Sequence, residues 1–273
     1  MGPSAVSQLA PEHVLAHLRE AERAADGQMV LLPGVDDAVM DGWEVPVPER
    51  VRRILRQASG LRTVDRTGRT YAVYTVEHRD NDDHGGPTYS RCGDPGTFRV
   101  LHTNGVAEAY YVDVDPATGL WHGVFSLWDS LDGRFEAPTL GHWFVILAKA
   151  VRSAARAAAL GRFDGFDEAF RALLWSDDFT ETAQTTGDAE HDWSTWRTPP
   201  RAEVVDAVTA RASADPVLAE AGARLPDCAT VADLRGVTRR TYVPVIDHPR
   251  MELDAAFHRF HHGQVLAAVP WDD

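Results

Sequence analysis

The chain has 273 residues, 44% hydrophobic and 25% charged, which is the make-up of a globular protein with a sizeable core and excludes collagen, coiled coil and wholesale disorder. Its 41 acidic residues against 27 Lys and Arg leave a formal charge of −14, a field that repels nucleic acid and suits a basic protein partner. Cys92 and Cys228 match no metal or redox spacing, residues 1–10 lack the basic and apolar regions of a leader, and the longest apolar run, 143–148, is too short for a bilayer. The expectation is a cytoplasmic protein with no membrane partner.

In chain order, Pro11 opens a helix over 11–25, with Val14, Leu15, Leu18 and Ala21 at helical spacing and Gly27 as its stop. A short strand over 29–32 runs into Pro33-Gly34, and an irregular acidic segment follows with Trp43 as its anchor. A helix over 48–58 buries Val51, Ile54 and Leu55, and Gly60 closes it. Residues 61–65 and 70–77 read as a hairpin around Thr67-Gly68. A polar loop over 80–96 precedes three strands, 97–103, 109–114 and 123–128. Asp115 to Gly119 form the turn between the last two, and 129–133 form a further turn. Thr139 caps a long amphipathic helix reaching 159, and 163–175 is another helix with Phe166, Phe170, Leu173 and Leu174 on one side.

The Thr-, Asp- and Gly-rich stretch 176–200 marks a linker between a domain at 1–175 and an extension at 201–273. The extension reads as mainly helical. Helices are expected over 201–212 (Val204, Val205 and Val208 inward), 215–221 and 253–262, with a helical turn at 230–234. An edge strand covers 241–246, limited by Pro244, and a closing strand covers 265–269. This order predicts an α+β fold with a mostly antiparallel sheet flanked by helices.

No glycine-rich phosphate loop, GxSxG elbow or HExxH helix is present, so neither a cofactor nor a catalytic residue is expected. On a helix, His258, His261 and His262 fall at i, i+3 and i+4. With His248 or Glu252 they form the one candidate metal cluster of a metal-dependent enzyme. The same spacing suits histidines ending an exposed helix near Gly263, where the helix dipole favours imidazolium, and no metal is expected. Asp80, Asp82 and Asp83 lack the glycine and glutamate of a calcium loop and read as a solvated acidic loop. Asp113 and Asp115 share a strand face, as an acid–base pair or as a solvated edge with a turn cap. Tyr110, Tyr111, Trp121, Phe125, Trp128 and Trp143 crowd one region as core residues and, where exposed, as interface anchors.

The order of short motifs resembles the SMI1/KNR4 family, also called the SUKH superfamily. The segment Glu44 to Gly60 is similar to a Pro-capped family helix ending in a small residue and Gly. The run Ala109-Tyr110-Tyr111-Val112-Asp113-Val114-Asp115 and the run Gly123-Val124-Phe125 resemble its aromatic strand and its Gly-x-Val-Phe strand. Trp128-Asp129 stands where the family has His-Asp, and Ala137-Pro138-Thr139-Leu140 leads into a similar helix. The resemblance spans about residues 30–160 and implies a binding fold without catalysis. Bacterial members are similar to immunity proteins that block a toxin domain, often a nuclease; fungal relatives look like regulatory scaffolds. The expected partner is therefore a basic toxin domain. Its contact residues would be Asp113, Asp115, Trp121, Trp128 and Asp129 at exposed strand ends, then Asp80, Asp82 and Asp83, with Asp36, Asp37 and Asp41 extending the patch.

Overall fold

The computed structural model describes residues 8–43, 45–65, 67–76, 98–103, 108–115, 117–128, 133–175, 200–244, 255–261 and 263–270. Pro11 stands in the first turn of α1 (Pro11–Ala24), where its missing N–H costs nothing, and Val14, Leu15, Leu18 and Ala21 bury one stripe. Strand β1 (Met29–Leu32) leads to α2 (Asp37–Asp41), a short helix inside the segment expected to be irregular, and then to α3 (Glu49–Leu55). The expected hairpin forms from β2 (Gly60–Val64) and β3 (Thr70–Thr75), and β1 joins it as an antiparallel third strand.

The meander that follows comprises β4 (Phe98–Thr103), β5 (Glu108–Val114), β6 (Trp121–Trp128) and β7 (Gly133–Ala137). Strand β7 lies in a stretch read as a turn and its connection. Thr139 caps α4 (Leu140–Ala159) as expected: its Oγ1 accepts from the His142 N–H at 3.3 Å. Helix α5 (Phe166–Trp175) completes this part.

The last third differs from the mainly helical expectation. It contains β8 (Val204–Asp206), α6 (Ala207–Arg211), α7 (Pro216–Ala223), β9 (Thr230–Asp233), β10 (Thr241–Val243), β11 (Ala255–Phe260) and β12 (Val265–Pro270). The helix expected over 201–212 is a strand followed by a short helix. Asp206 ends the strand and caps the helix, accepting from Thr209 N–H at 2.6 Å, and Val208 is half exposed rather than inward. The expected helix at 253–262 is the first arm of a hairpin. His261 and Gly263 both hold left-handed φ values, +51° and +71°, which turn the chain back onto itself. Residues 230–233 are a strand because they pair with β12 on one side and β8 on the other.

Two large antiparallel sheets result, with orders β10-β7-β6-β5-β4 and β11-β12-β9-β8. Tyr110, Val112, Val124 and Ala137 of the five-stranded sheet face a core shared with α1, α4 and α5. Tyr111, Phe125 and Phe135 point the other way and pack on Ala232, Leu266 and Ala268 of the four-stranded sheet and on Leu234 just after β9. Val231, Val265 and Ala267 on the far face of that sheet lie under Ala207, Ala210, Ala221 and Leu225, around α6 and α7. The layers therefore run helix, sheet, sheet, helix. The C-terminal third also adds β10 to the five-stranded sheet beside β7, so the central sheet is buried on both faces.

Candidate functional site

Alternation along β5 decides the fate of its acids. Tyr110 and Val112 face the helices; Tyr111 and Asp113 face the four-stranded sheet. Asp113 is only 2% exposed. Its carboxylate forms an ion pair with Arg259 of β11, whose guanidinium also lies over the Tyr111 ring, 5.3 Å from its centroid. Gly263 closes over the pair so tightly that a Cβ there would overlap the carboxylate. Asp113 thus belongs to the inter-sheet contact and not to an exposed partner surface, because the C-terminal sheet covers this face.

Trp121 is corrected in the same sense. It is 2% exposed, and its indole Nε1 donates to the Pro46 carbonyl at 2.8 Å. The ring anchors the segment between α2 and α3 from inside. Asp115, beyond the strand, is half-buried and shapes a turn. Oδ1 accepts from Ala117 N–H at 2.9 Å, and the Thr118 hydroxyl donates to Oδ2 at 2.6 Å. Asp113 and Asp115 are therefore not an acid–base pair: one is committed to Arg259 and the other to its own turn. Trp128 ends β6 opposite Glu108. Its side chain lies outside the described residues, as do Asp129, Asp80, Asp82 and Asp83.

The surface that remains is built around this turn. Gly119 packs on the Pro46 ring, and Leu120, beside it, is 48% exposed. From Pro46 the chain passes to Val47, whose carbonyl accepts from Arg52 Nε at 3.1 Å. Arg52 also reaches Asp41 at 2.5 Å and Asp37 at 3.4 Å. Arg56 donates from Nε to both oxygens of Asp37 at 3.0 Å, and from a terminal nitrogen to Glu49 at 2.9 Å. The Arg56 hydrogen bond holds the Asp37 carboxyl below the usual carboxylate range. Arg50 and Arg53 turn toward the Gln8 carbonyl and Glu12 instead. Asp37, Asp41 and Glu49 thus pair with two arginines, Asp36 is exposed beside them, and Arg50, bonded to a neutral carbonyl, keeps its charge on the same helix. The structure links the Asp115 turn to the α2 acids through Pro46 and Arg52. Among the described residues, Asp36, Asp37 and Asp41, expected only to extend the patch, are the exposed acids of the expected contact set. Leu120 and Pro46 were not singled out in the sequence, although an apolar residue after a Gly turn was the available signal.

The histidine cluster does not form as expected. His258 lies on a strand and His261 in the following turn, so helical spacing does not apply. Burial, and then Arg224, push the His258 imidazole below its usual range. His248, Glu252 and His262 lie outside the described residues. Among the described residues no three His, Cys, Asp or Glu gather as a metal site.

One buried ionic group escaped sequence reading. Arg240 lies 2.7 Å from Glu136 and donates to the Leu174 carbonyl at 2.6 Å, while Ser126 donates to Glu136 at 2.6 Å. Burial opposes the Arg240 charge, but Glu136 outweighs it and the pKa is raised. This group ties the start of β10 to the end of α5. Together the exposed acids and Leu120 offer charge and a small apolar contact, the chemistry of recognition. No family model, curated protein or solved structure matches the chain. Among the described residues, no helix is long and apolar enough to cross a membrane.

Proposed function

We propose that the chain is a non-catalytic, SMI1/KNR4-like protein-binding module that acts as an immunity protein and blocks a basic toxin domain. The observation that carries the reading is the set of exposed acids Asp36, Asp37 and Asp41 of α2 and its cap, with Leu120 and Pro46 beside them, on a chain of charge −14. A nuclease is the toxin class that fits this charge, because its substrate-binding surface is basic. Complementary fields speed encounter and impose salt dependence, and the apolar turn supplies contact area. Asp115 contributes as the shaper of that turn.

The test is capture from the lysate of the native source on immobilised full-length protein, with low- and high-salt washes and mass spectrometry. The expected result is one basic polypeptide, released by salt, whose association rate falls when Asp36→Lys and Leu120→Arg are combined. A captured set of acidic regulators would favour a scaffold of the fungal kind. Binding indifferent to both salt and these substitutions would overturn the reading.

A further inference from the structure

Helices α1 and α4 pack side by side, close enough that a Cβ at Gly141 would stand 3.2 Å from a Val14 methyl. The apolar stripe of α1 fills the seam, and cations gather along its polar edge. From α1 come His13 and His17, one turn apart, with ring centroids 4.6 Å apart and the rings edge to face. From α4 come Arg152, mostly buried, and Lys149, exposed. Glu20 is the acid that faces His17, and it is already ion-paired with Arg152. Glu20 stands three residues after His17 on the same helix, so this pair holds the guanidinium within a turn of the imidazole. The other elements against α1 add no free anion. Arg50 and Arg53 of α3 are engaged with the Gln8 carbonyl and Glu12, and β1 is uncharged. His142, toward the start of α4, also faces Lys149, but its Nδ1 stands 2.8 Å from Thr139 Oγ1.

This edge accepts His17 neutral and resists it charged. His17 Nδ1 and Arg152 Nε are buried, and among the described residues neither meets a hydrogen-bond partner. An imidazolium would bring a second N–H and a charge to that place. Burial first, then Arg152 and His13, hold the imidazole below its usual range; Lys149 adds to this and Glu20 opposes it. Once α1 lifts from α4, His17 is hydrated and titrates near pH 6.5, its ordinary value. The lifted form therefore binds the proton at a higher pH than the docked form. Docking is complete above about pH 6.5 and weakens as the pH falls below it.

We propose that His17, set among Arg152, Lys149 and His13, is a proton-operated catch, so that on acidification α1 lifts locally from α4 while the sheets stay folded. Lifting would also part Glu12 from Arg53 and free a cation on α3. The catch operates whether or not the chain binds a toxin. If His17 stays neutral when docked, the docked-to-lifted ratio falls by about tenfold between pH 7.5 and pH 5.5.

The test is hydrogen–deuterium exchange of the full-length protein at pH 7.5 and pH 5.5, with amide protection corrected for the intrinsic rate at each pH. Protection in α1 should lie below that in β5 and fall by up to about tenfold on acidification. In His17→Gln that fall should shrink to less than about twofold. Arg152→Gln is the second variant: it frees Glu20 to offset an imidazolium, so the fall should shrink to about threefold or less. His258→Gln separates local from global opening. Its imidazole lies on β11, which stays folded when α1 lifts, so the response of α1 should not change. An α1 that answers His258→Gln as β5 does opens only with the whole fold, and the proposal is overturned. It is equally overturned if α1 protection does not fall in acid, or if the fall persists in both His17→Gln and Arg152→Gln.

Discussion

Replacing Asp113 with Asn removes a charge and almost no volume. The side chain of its partner Arg259 is 3% exposed, so solvent cannot take over the lost interaction. Arg259 also lies over Tyr111, but that contact is present before and after the change and offsets nothing. Removing one member of a buried ion pair costs about 3–5 kcal/mol, and because Asn retains a hydrogen-bonding oxygen the lower end, about 3 kcal/mol, is expected. By contrast, Arg53 and Glu12 are 52% and 66% exposed, and Glu12→Gln should cost less than about 1 kcal/mol. The measurement is urea unfolding of both variants, followed by tryptophan fluorescence and far-UV circular dichroism. For Asp113→Asn the midpoint should fall by about 1 M or more. The double variant Asp113→Leu with Arg259→Met should recover most of the loss, since well-packed apolar replacements of buried pairs are often neutral. A loss under about 1 kcal/mol for Asp113→Asn would refute the reasoning, because the carboxylate would then be solvated and the C-terminal sheet would not cover β5.

Three further outcomes follow from the same structure. Gly263→Ala should destabilise by about 2 kcal/mol or more, since its φ of +71° disfavours a side chain and the new Cβ meets Asp113; thermal unfolding reads this, and an unchanged melting temperature would contradict the packing. Thr139→Ala should cost about 1 kcal/mol by removing the α4 cap, whereas Thr139→Ser, which retains the hydroxyl, should cost a fraction of that in the same assay. Burial lowers the pKa of His17, His142 and His258, aided by Arg152, Lys149 and Arg224 respectively. The unfolded chain then binds protons at a higher pH than the folded one, so stability is complete above about pH 6.5 and declines as acid titrates the unfolded histidines. Melting temperatures at about pH 7.5 and pH 5.5 should show this fall, and His258→Gln should lessen it; a melting temperature that holds or rises on acidification would remove the account.

Local chemistry made much of the N-terminal part legible in the sequence. Pro11 and the α1 stripe, the turn at Thr67-Gly68, the strand over 109–114, and the Thr139 cap each act within a few residues of their own position. The same reading anticipated an α+β, mostly antiparallel fold, and it identified Asp115 as a turn former. Short segments were a different matter. Residues 133–137, 230–233 and 255–260 carry apolar patterns too brief to separate strand from helix, and each became a strand because a neighbour supplied its hydrogen bonds. Burial was equally beyond a local reading. Asp113 at the end of an aromatic strand has the marks of an exposed acid, and Trp121 after a turn those of an exposed anchor. Whether either meets water depends on what covers its face of the sheet. For Asp113 that cover comes from Arg259, 146 residues away, and Trp121 finds its acceptor 75 residues away at Pro46. Composition determined the sign of the protein's field, and hydrophobic spacing its local elements. Only tertiary contact between distant strands decided which acids are spent inside the fold and which remain at the surface.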